Sequence, residues 1–213
     1  MKILQKSELD SSKYKDTGNS WGKKGRNGFR ILAFKSIPLK KVVLLSDTHG
    51  FLDTKIINYV VQADEVWHAG DIGKIEIIDE LQKLKKLRAV YGNIDGQSIR
   101  QIAPEFLYFN SEGLKVLMIH IAGTPGRYNH NTKDLIQKYH PNVLVCGHSH
   151  ILKVMHDPKF KHLHMNPGAV GISGFHKIRT LLRFEIKKGK IENLEAVELG
   201  LRGALSNSVN GTD

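Results

Sequence analysis

The sequence predicts an α/β fold, a four-layer α/β/β/α sandwich of two mixed sheets flanked by helices. Three observations lead there. At 213 residues the chain suits one domain with a sizeable core. Its first half alternates short apolar runs with stretches of helical periodicity, as βαβ units do. After Gly147 the pattern changes to short strands separated by turn residues, as in antiparallel sheet. Two sheets packed face to face with helices outside satisfy both halves.

The elements follow in order. Val42–Leu45 is continuously apolar, as for a strand buried on both faces. From Leu52 to Ala63 the residues Ile56, Ile57, Val60 and Val61 recur at helical spacing. Val66–His68 is a short strand. Ile75, Ile78, Leu81, Leu84 and Leu87 form a helical stripe with basic residues between them, and Arg88–Tyr91 is the next strand. Leu114–Ile119 and Val143–Cys146 are strands with a helical segment, Thr132–Tyr139, between them. Ile151–Met155, His162–Met165, Thr180–Ile186 and Ile191–Glu198 complete the set, with Lys187–Lys190 as a hairpin turn. There is no internal repeat.

Composition narrows the setting. No apolar run reaches the ~18 residues that span a membrane, and the N-terminus has no apolar signal core, so a cytoplasmic location without a membrane partner is expected. Cys146 is the only cysteine, which excludes an intrachain disulfide; it reads as a small buried residue at a strand end. The net charge of +11 would suggest nucleic acid, but residues 1–41 hold 11 Lys/Arg and 3 Asp/Glu, a balance of +8. That leaves 21 basic and 18 acidic residues over 42–213, a balance of +3. Residues 1–40 are therefore expected to form a basic, flexible extension, 41–202 the domain, and 203–213 a C-terminal tail. Nucleic acid is the less favoured partner, and homo-oligomerisation is left open.

The chemistry sits where apolar runs turn polar. Asp47 and His49 follow VVLLS, Asp71 ends EVWHAGD, Asn93 follows LRAVYG, His120 follows KVLMI, and His148 and His150 follow NVLVCG. The carboxyl ends of strands are where α/β sheets bind ligands. Five strands can deliver two Asp, one Asn and four His to one rim, a donor set suited to borderline divalent metals. In an extended segment His148 and His150, two apart, would point the same way. Each piece alone has a plainer reading, as a cap, a turn or a satisfied strand-end histidine. All five together, in this order, do not.

The motifs Asp47-Thr48-His49, Gly70-Asp71-Ile72, Gly92-Asn93-Ile94-Asp95, His120 and Gly147-His148-Ser149-His150 resemble those of the calcineurin-like metallophosphoesterase superfamily. The resemblance is greatest to its small bacterial and archaeal phosphodiesterase branch, through the short spacing and Met165-Asn166-Pro167-Gly168. It runs from about Lys41 to about Leu199. It implies the same sandwich and two divalent metal ions (Mn, Ni, Fe or Zn). It implies that Asp47, His49 and His150 hold one ion, that Asn93, His120 and His148 hold the other, and that Asp71 bridges them. The implied reaction is hydrolysis of a small or nucleotide-like phosphodiester by in-line attack of a metal-bridging hydroxide. Asp71 and Asn93 are then catalytic, and Asp95 joins them as a support of the loop or of a ligand. Alternatives are a phosphomonoesterase or nuclease of the superfamily, or a non-catalytic scaffold, as in the retromer subunit that shares the architecture.

Two departures stand out. Many relatives have G-N-H-D, with the His placed to protonate the leaving group; here the position is Ile94, and the small branch that the chain resembles often lacks this His. His68 and His130 are the candidates for a substitute acid. Ile121 follows His120 where relatives often have Gly-His. Arg100 and Arg127 are candidate phosphate clamps, and Tyr128 a candidate stacking residue. No motif lies in residues 1–40, so a chain beginning near Lys40 is expected to fold and keep its turnover on small substrates. Loss of solubility or turnover would show that the leader packs on the domain or completes the site.

Overall fold

The computed structural model describes residues 39–175 and 177–203. The expectations for the basic extension and for the C-terminal tail lie outside the described residues, apart from Leu39, Lys40 and Gly203. The elements run β1 (Lys40–Leu45), α1 (Thr54–Val60), β2 (Glu65–His68), α2 (Ile75–Leu84), β3 (Lys86–Ala89), α3 (Gln97–Arg100), β4 (Phe106–Ser111) and β5 (Leu114–Ile119). Then come β6 (Gly123–Thr124), β7 (Arg127–Tyr128), α4 (His130–Tyr139), β8 (Val143–Val145), β9 (Leu152–Asp157), β10 (His162–Pro167), β11 (Ile178–Lys187) and β12 (Lys190–Leu201).

Two mixed five-stranded sheets result, in the orders β12-β11-β1-β2-β3 and β4-β5-β8-β10-β9. Strands β1, β2 and β3 are mutually parallel, as are β5, β8 and β10, while β4, β9, β11 and β12 pair antiparallel. The carboxyl ends of β1, β2 and β3 thus share one edge of the first sheet, and those of β5 and β8 one edge of the second.

Strand alternation explains the layers. Val42 and Leu44 of β1 point between the sheets, where they meet Trp67, Val116, Met118, Val145 and Phe184. Val43 and Leu45 point outward and join Ile56 and Val60 of α1 and Ile77, Ile78 and Leu81 of α2. On the far side, Leu117, Ile119 and Leu144 pack against Leu135 and Ile136 of α4. The starts of α1 and α4 are fixed by side chains. Asp53 accepts from the Ile56 amide at 3.0 Å, and Asn129 from the Thr132 amide at 2.8 Å.

The expected sandwich is the observed one, with local corrections. The α2 helix stops at Leu84, and Leu87, expected on its apolar stripe, belongs to β3. Leu87 still packs on the outer core, so it kept its apolar face while the backbone changed period. Strand β4, the four-residue α3 and the small β6–β7 hairpin were not anticipated. No described helix is long and apolar enough to cross a membrane.

Candidate metal centre

The strand ends converge as the sequence suggests, through backbone that leaves the extended region. Asp47, His49, Asp71, His148 and His150 all have left-handed φ, between 49° and 69°. Asp and His tolerate this region better than most residues, yet each such residue costs roughly 1–2 kcal/mol. Five on one rim mark a place where side-chain aim outweighs local comfort. Neighbouring loops hold them there. The Asp47, His49 and Gly50 amides donate to the Gly70, Asp71 and Ile72 carbonyls at 2.9, 3.0 and 2.7 Å. The Gly147 amide donates to the His120 carbonyl at 3.0 Å, joining the β8 and β5 ends.

Two triads result. Donor atoms of Asp47, His49 and His150 lie within 4.8 Å of one another, and so do those of Asp71, His120 and His148. Ligands held roughly 2.0–2.3 Å from one cation can be at most about 4.6 Å apart, so small adjustments would bring each triad onto one ion. The expected common aim of His148 and His150 is corrected: their segment is not extended, and left-handed φ values of 69° and 56° send the two rings to different triads. Asp71, a member of the second triad, also faces the first. Its Oδ1 is 3.1 Å from His120 Nε2, and its Oδ2 is 3.8 Å from His49 Nε2. A further link joins the sheets, from the His148 amide to Asp47 Oδ2 at 3.2 Å.

The donors fit divalent cations. His120 Nδ1 lies 2.7 Å from the Ala69 carbonyl, which can only accept, so a proton sits on Nδ1 and Nε2 is the nitrogen that could ligate a metal. His120 Nε2 and Asp47 Oδ1 are buried without a well-formed hydrogen bond. Burial would raise the Asp71 carboxyl, but the facing His120 ring and the Ile94 amide hold it below its ordinary value. His120 moves the other way: burial disfavours its charge, yet Asp71 and Asp47 carry it above its usual value. The cluster's field favours a cation.

The remaining candidates separate by position. Asn93 is exposed, and with Tyr91, Arg100, His120 and Ile121 it lines a cleft of ≈ 370 Å³ beside the second triad. Arg100 stacks on Tyr91, 4.5 Å from the ring centre, and its Nε donates to the Asp95 carbonyl at 2.7 Å. Arg127 sits exposed on β7 and is not among the residues lining that cleft. Tyr128 is 2 % exposed, with its hydroxyl 3.0 Å from His162 Nε2, so it offers no stacking face.

Asp95, a catalytic candidate from sequence, is a positioning residue. Its carboxylate is buried and accepts from the Ile72, Gly73 and Gly92 amides at 3.1, 2.7 and 2.8 Å, tying the Asp71 loop to the Asn93 loop. Gly92 shows how tight that junction is, since a Cβ there would fall 2.0 Å from Asp71 Oδ1 and 2.3 Å from its amide. Gly92→Ala should therefore displace Asp71 and weaken metal binding by at least ~10-fold. Isothermal titration with Mn²⁺ checks this, and unchanged binding would contradict it.

Neither substitute acid survives. His68 is 1 % exposed, accepts from the Gly70 amide at 3.2 Å and faces the Thr48 hydroxyl at 2.9 Å. Burial pushes its pKa down to about 4, against the pull of Asp95 and Asp47. It is a neutral strut under the loops. His130 is exposed and pairs with Asp134 one helical turn away, at 2.9 Å. Cys146 is buried as expected, its thiol pushed up to about 12 by burial. Sequence reasoning missed Arg202, which follows β12 and reaches back to within 3.3 Å of His150. Nothing local marks it, because the contact spans 52 positions.

Solved structures share this fold. A Thermotoga maritima protein determined by NMR has a TM-score of 0.59 at 23% identity, covering 75% of this chain and 99% of that one. A novel archaeal phosphodiesterase gives 0.57 at 21% identity, with the same coverages. Vacuolar protein sorting 29 of Entamoeba histolytica, in complex with zinc, gives 0.54 at 16% identity, covering 74% and 98%. No curated protein matches the chain by sequence. The family model for the calcineurin-like phosphoesterase superfamily domain matches residues 41–189, which include all seven residues of the rim, and the chain belongs to that superfamily.

Proposed function

We propose that the chain is a phosphodiesterase that uses two divalent metal ions to hydrolyse small or nucleotide-like phosphodiesters. The observation that carries this is the place of Asp71, a buried carboxylate with one oxygen toward each triad. Cations bound there would lower the pKa of water and neutralise phosphoryl charge.

The chain's own residues do the rest. Asp47, His49 and His150 would hold one ion, and Asn93, His120 and His148 the other. Asp95 fixes the spacing of the two loops between which Asp71 sits. The neighbouring cleft of ≈ 370 Å³ matches a small substrate better than a duplex. Arg100 lines it and can meet a phosphate oxygen. Ile94 donates its amide to Asp71 Oδ1 at 3.1 Å but has no side-chain proton for a leaving group.

The test is turnover of an aryl phosphodiester and its monoester by protein reconstituted with Mn, Ni, Fe or Zn. Faster diester turnover is expected. Faster monoester turnover would favour a phosphomonoesterase. Absence of turnover with both ions bound would favour the scaffold reading.

A further inference from the structure

The side chains next to the ligands are of the opposite character. Asn93, His120 and His150 are each followed by an isoleucine: Ile94, Ile121 and Ile151. Gly171, whose amide donates to the Asp47 carbonyl at 3.1 Å, is followed by Ile172. All four isoleucines are between 40 % and 50 % exposed. Phe175 is fully exposed. It follows Gly174, which lies so close to the centre that a Cβ there would fall 2.3 Å from His150 Nδ1. Exposed apolar residues scattered singly are ordinary, but five beside the ligands of one centre mark a binding surface.

Charge says what such a surface takes. In the loops that follow β1, β2, β3, β5, β8 and β10, the carboxylates are Asp47, Asp53, Asp71 and Asp95. Asp47, Asp71 and Asp95 are buried, and Asp53 is paired with Arg179 at 2.8 Å. Glu105, an exposed carboxylate lining the cleft, precedes β4 and accepts from Asn131 at 3.3 Å. The exposed cations Lys74 and Arg100 remain, Lys74 lying against Gly50 beside His49 and Arg100 in the cleft. An anion with an apolar attachment complements these surroundings. A sugar arm, with hydroxyls that need partners, meets mostly isoleucine and phenylalanine at the first triad.

We propose that the site is selective for phosphodiesters whose retained arm is an apolar chain, which lies across Ile151, Ile172 and Phe175 while the leaving arm enters the cleft at Ile121. The inference rests on the phosphodiesterase reading above and deepens it by naming the substrate class. In the step, a water oxygen bonds to phosphorus and its proton passes to solvent. The bond from phosphorus to the leaving oxygen breaks, with the electron pair going to that oxygen. The apolar arm stays on the monoester product.

Protein reconstituted with Mn²⁺ is assayed on p-nitrophenyl methyl, butyl and octyl phosphates, each below its micelle concentration. The leaving group is constant, so only the retained arm changes. Full burial of a methylene is worth about fourfold and half-burial about twofold, so kcat/KM should rise at least ~10-fold from methyl to octyl. The p-nitrophenyl ester of thymidine phosphate, with a polar arm, should be slower than the octyl ester. The double variant Ile151→Ser, Phe175→Ser removes two exposed side chains that the fold does not need. It should cut the octyl-to-methyl ratio by at least ~5-fold. Turnover that is flat with chain length, or fastest on the thymidine ester, would overturn the proposal and leave the phosphodiesterase reading standing. A rise that the double variant leaves intact would also overturn it, because the arm would then lie elsewhere. Absence of turnover on every diester with both ions bound would overturn the phosphodiesterase reading itself.

Discussion

Asp71→Asn is expected to remove turnover to below a few per cent, a loss of at least ~10²-fold, at the top of or beyond the ~10–100-fold typical of an outer-shell partner. Two unit charges 4 Å apart repel by about 4 kcal/mol at an effective dielectric of 20, and two divalent cations by roughly four times that. A carboxylate between them offsets much of this; an amide does not. The amide oxygen can still accept from the Ile94 amide, as Oδ1 does at 3.1 Å, so the fold should be kept. Melting in chelator should match the natural protein, while the metal-dependent gain in stability is lost. Asn93→Ala should also be severe but partly rescued by excess metal, because Asn93 sits exposed at the cleft rather than buried between the triads. More than a few per cent of activity in Asp71→Asn at saturating metal would refute the bridging role.

The second large effect concerns the leaving group. Ile94 is 47 % exposed at the rim, and its amide touches Asp71. The two histidines considered as a replacement acid are held as a buried strut and paired on a helix surface. The departing oxygen then leaves as an anion or takes a proton from water. Rate should fall steeply as leaving-group pKa rises, by ~10²–10⁴ across a series from good to poor leaving groups. Ile94→His should flatten the dependence and help alkyl esters most. A series of aryl and alkyl phosphate esters on both proteins measures this. A flat dependence in the natural protein, with chemistry rate-limiting, would mean that another residue acts as the acid.

Much of this was legible because strand-end residues announce themselves. A buried parallel strand is an apolar run, and the first polar residues after it sit at the sheet edge. The sequence alone therefore places Asp47, Asp71, His120 and His148 on one rim. Their aim could not. The left-handed turns at His148 and His150 depend on neighbouring loops, and two-residue periodicity gave the wrong common direction. Leu87 was misplaced because an apolar residue suits the end of a helix stripe and a short strand equally. From Tyr108 to Ser111 strand β4 alternates exposed and buried side chains before the Glu112-Gly113 turn, a signal present but weak at a sheet edge. Helix α3, at four residues, is too short for periodicity to reveal. Tyr128 reads as a surface aromatic beside Arg127, and only the packing of α4 and β10 shows it buried.

Metal stoichiometry tests the central claim most directly. Equilibrium dialysis of metal-free protein against Mn²⁺ or Zn²⁺, at free concentrations above both dissociation constants, should give two equivalents per chain. A reproducible value near zero, with all seven rim side chains intact, would contradict it.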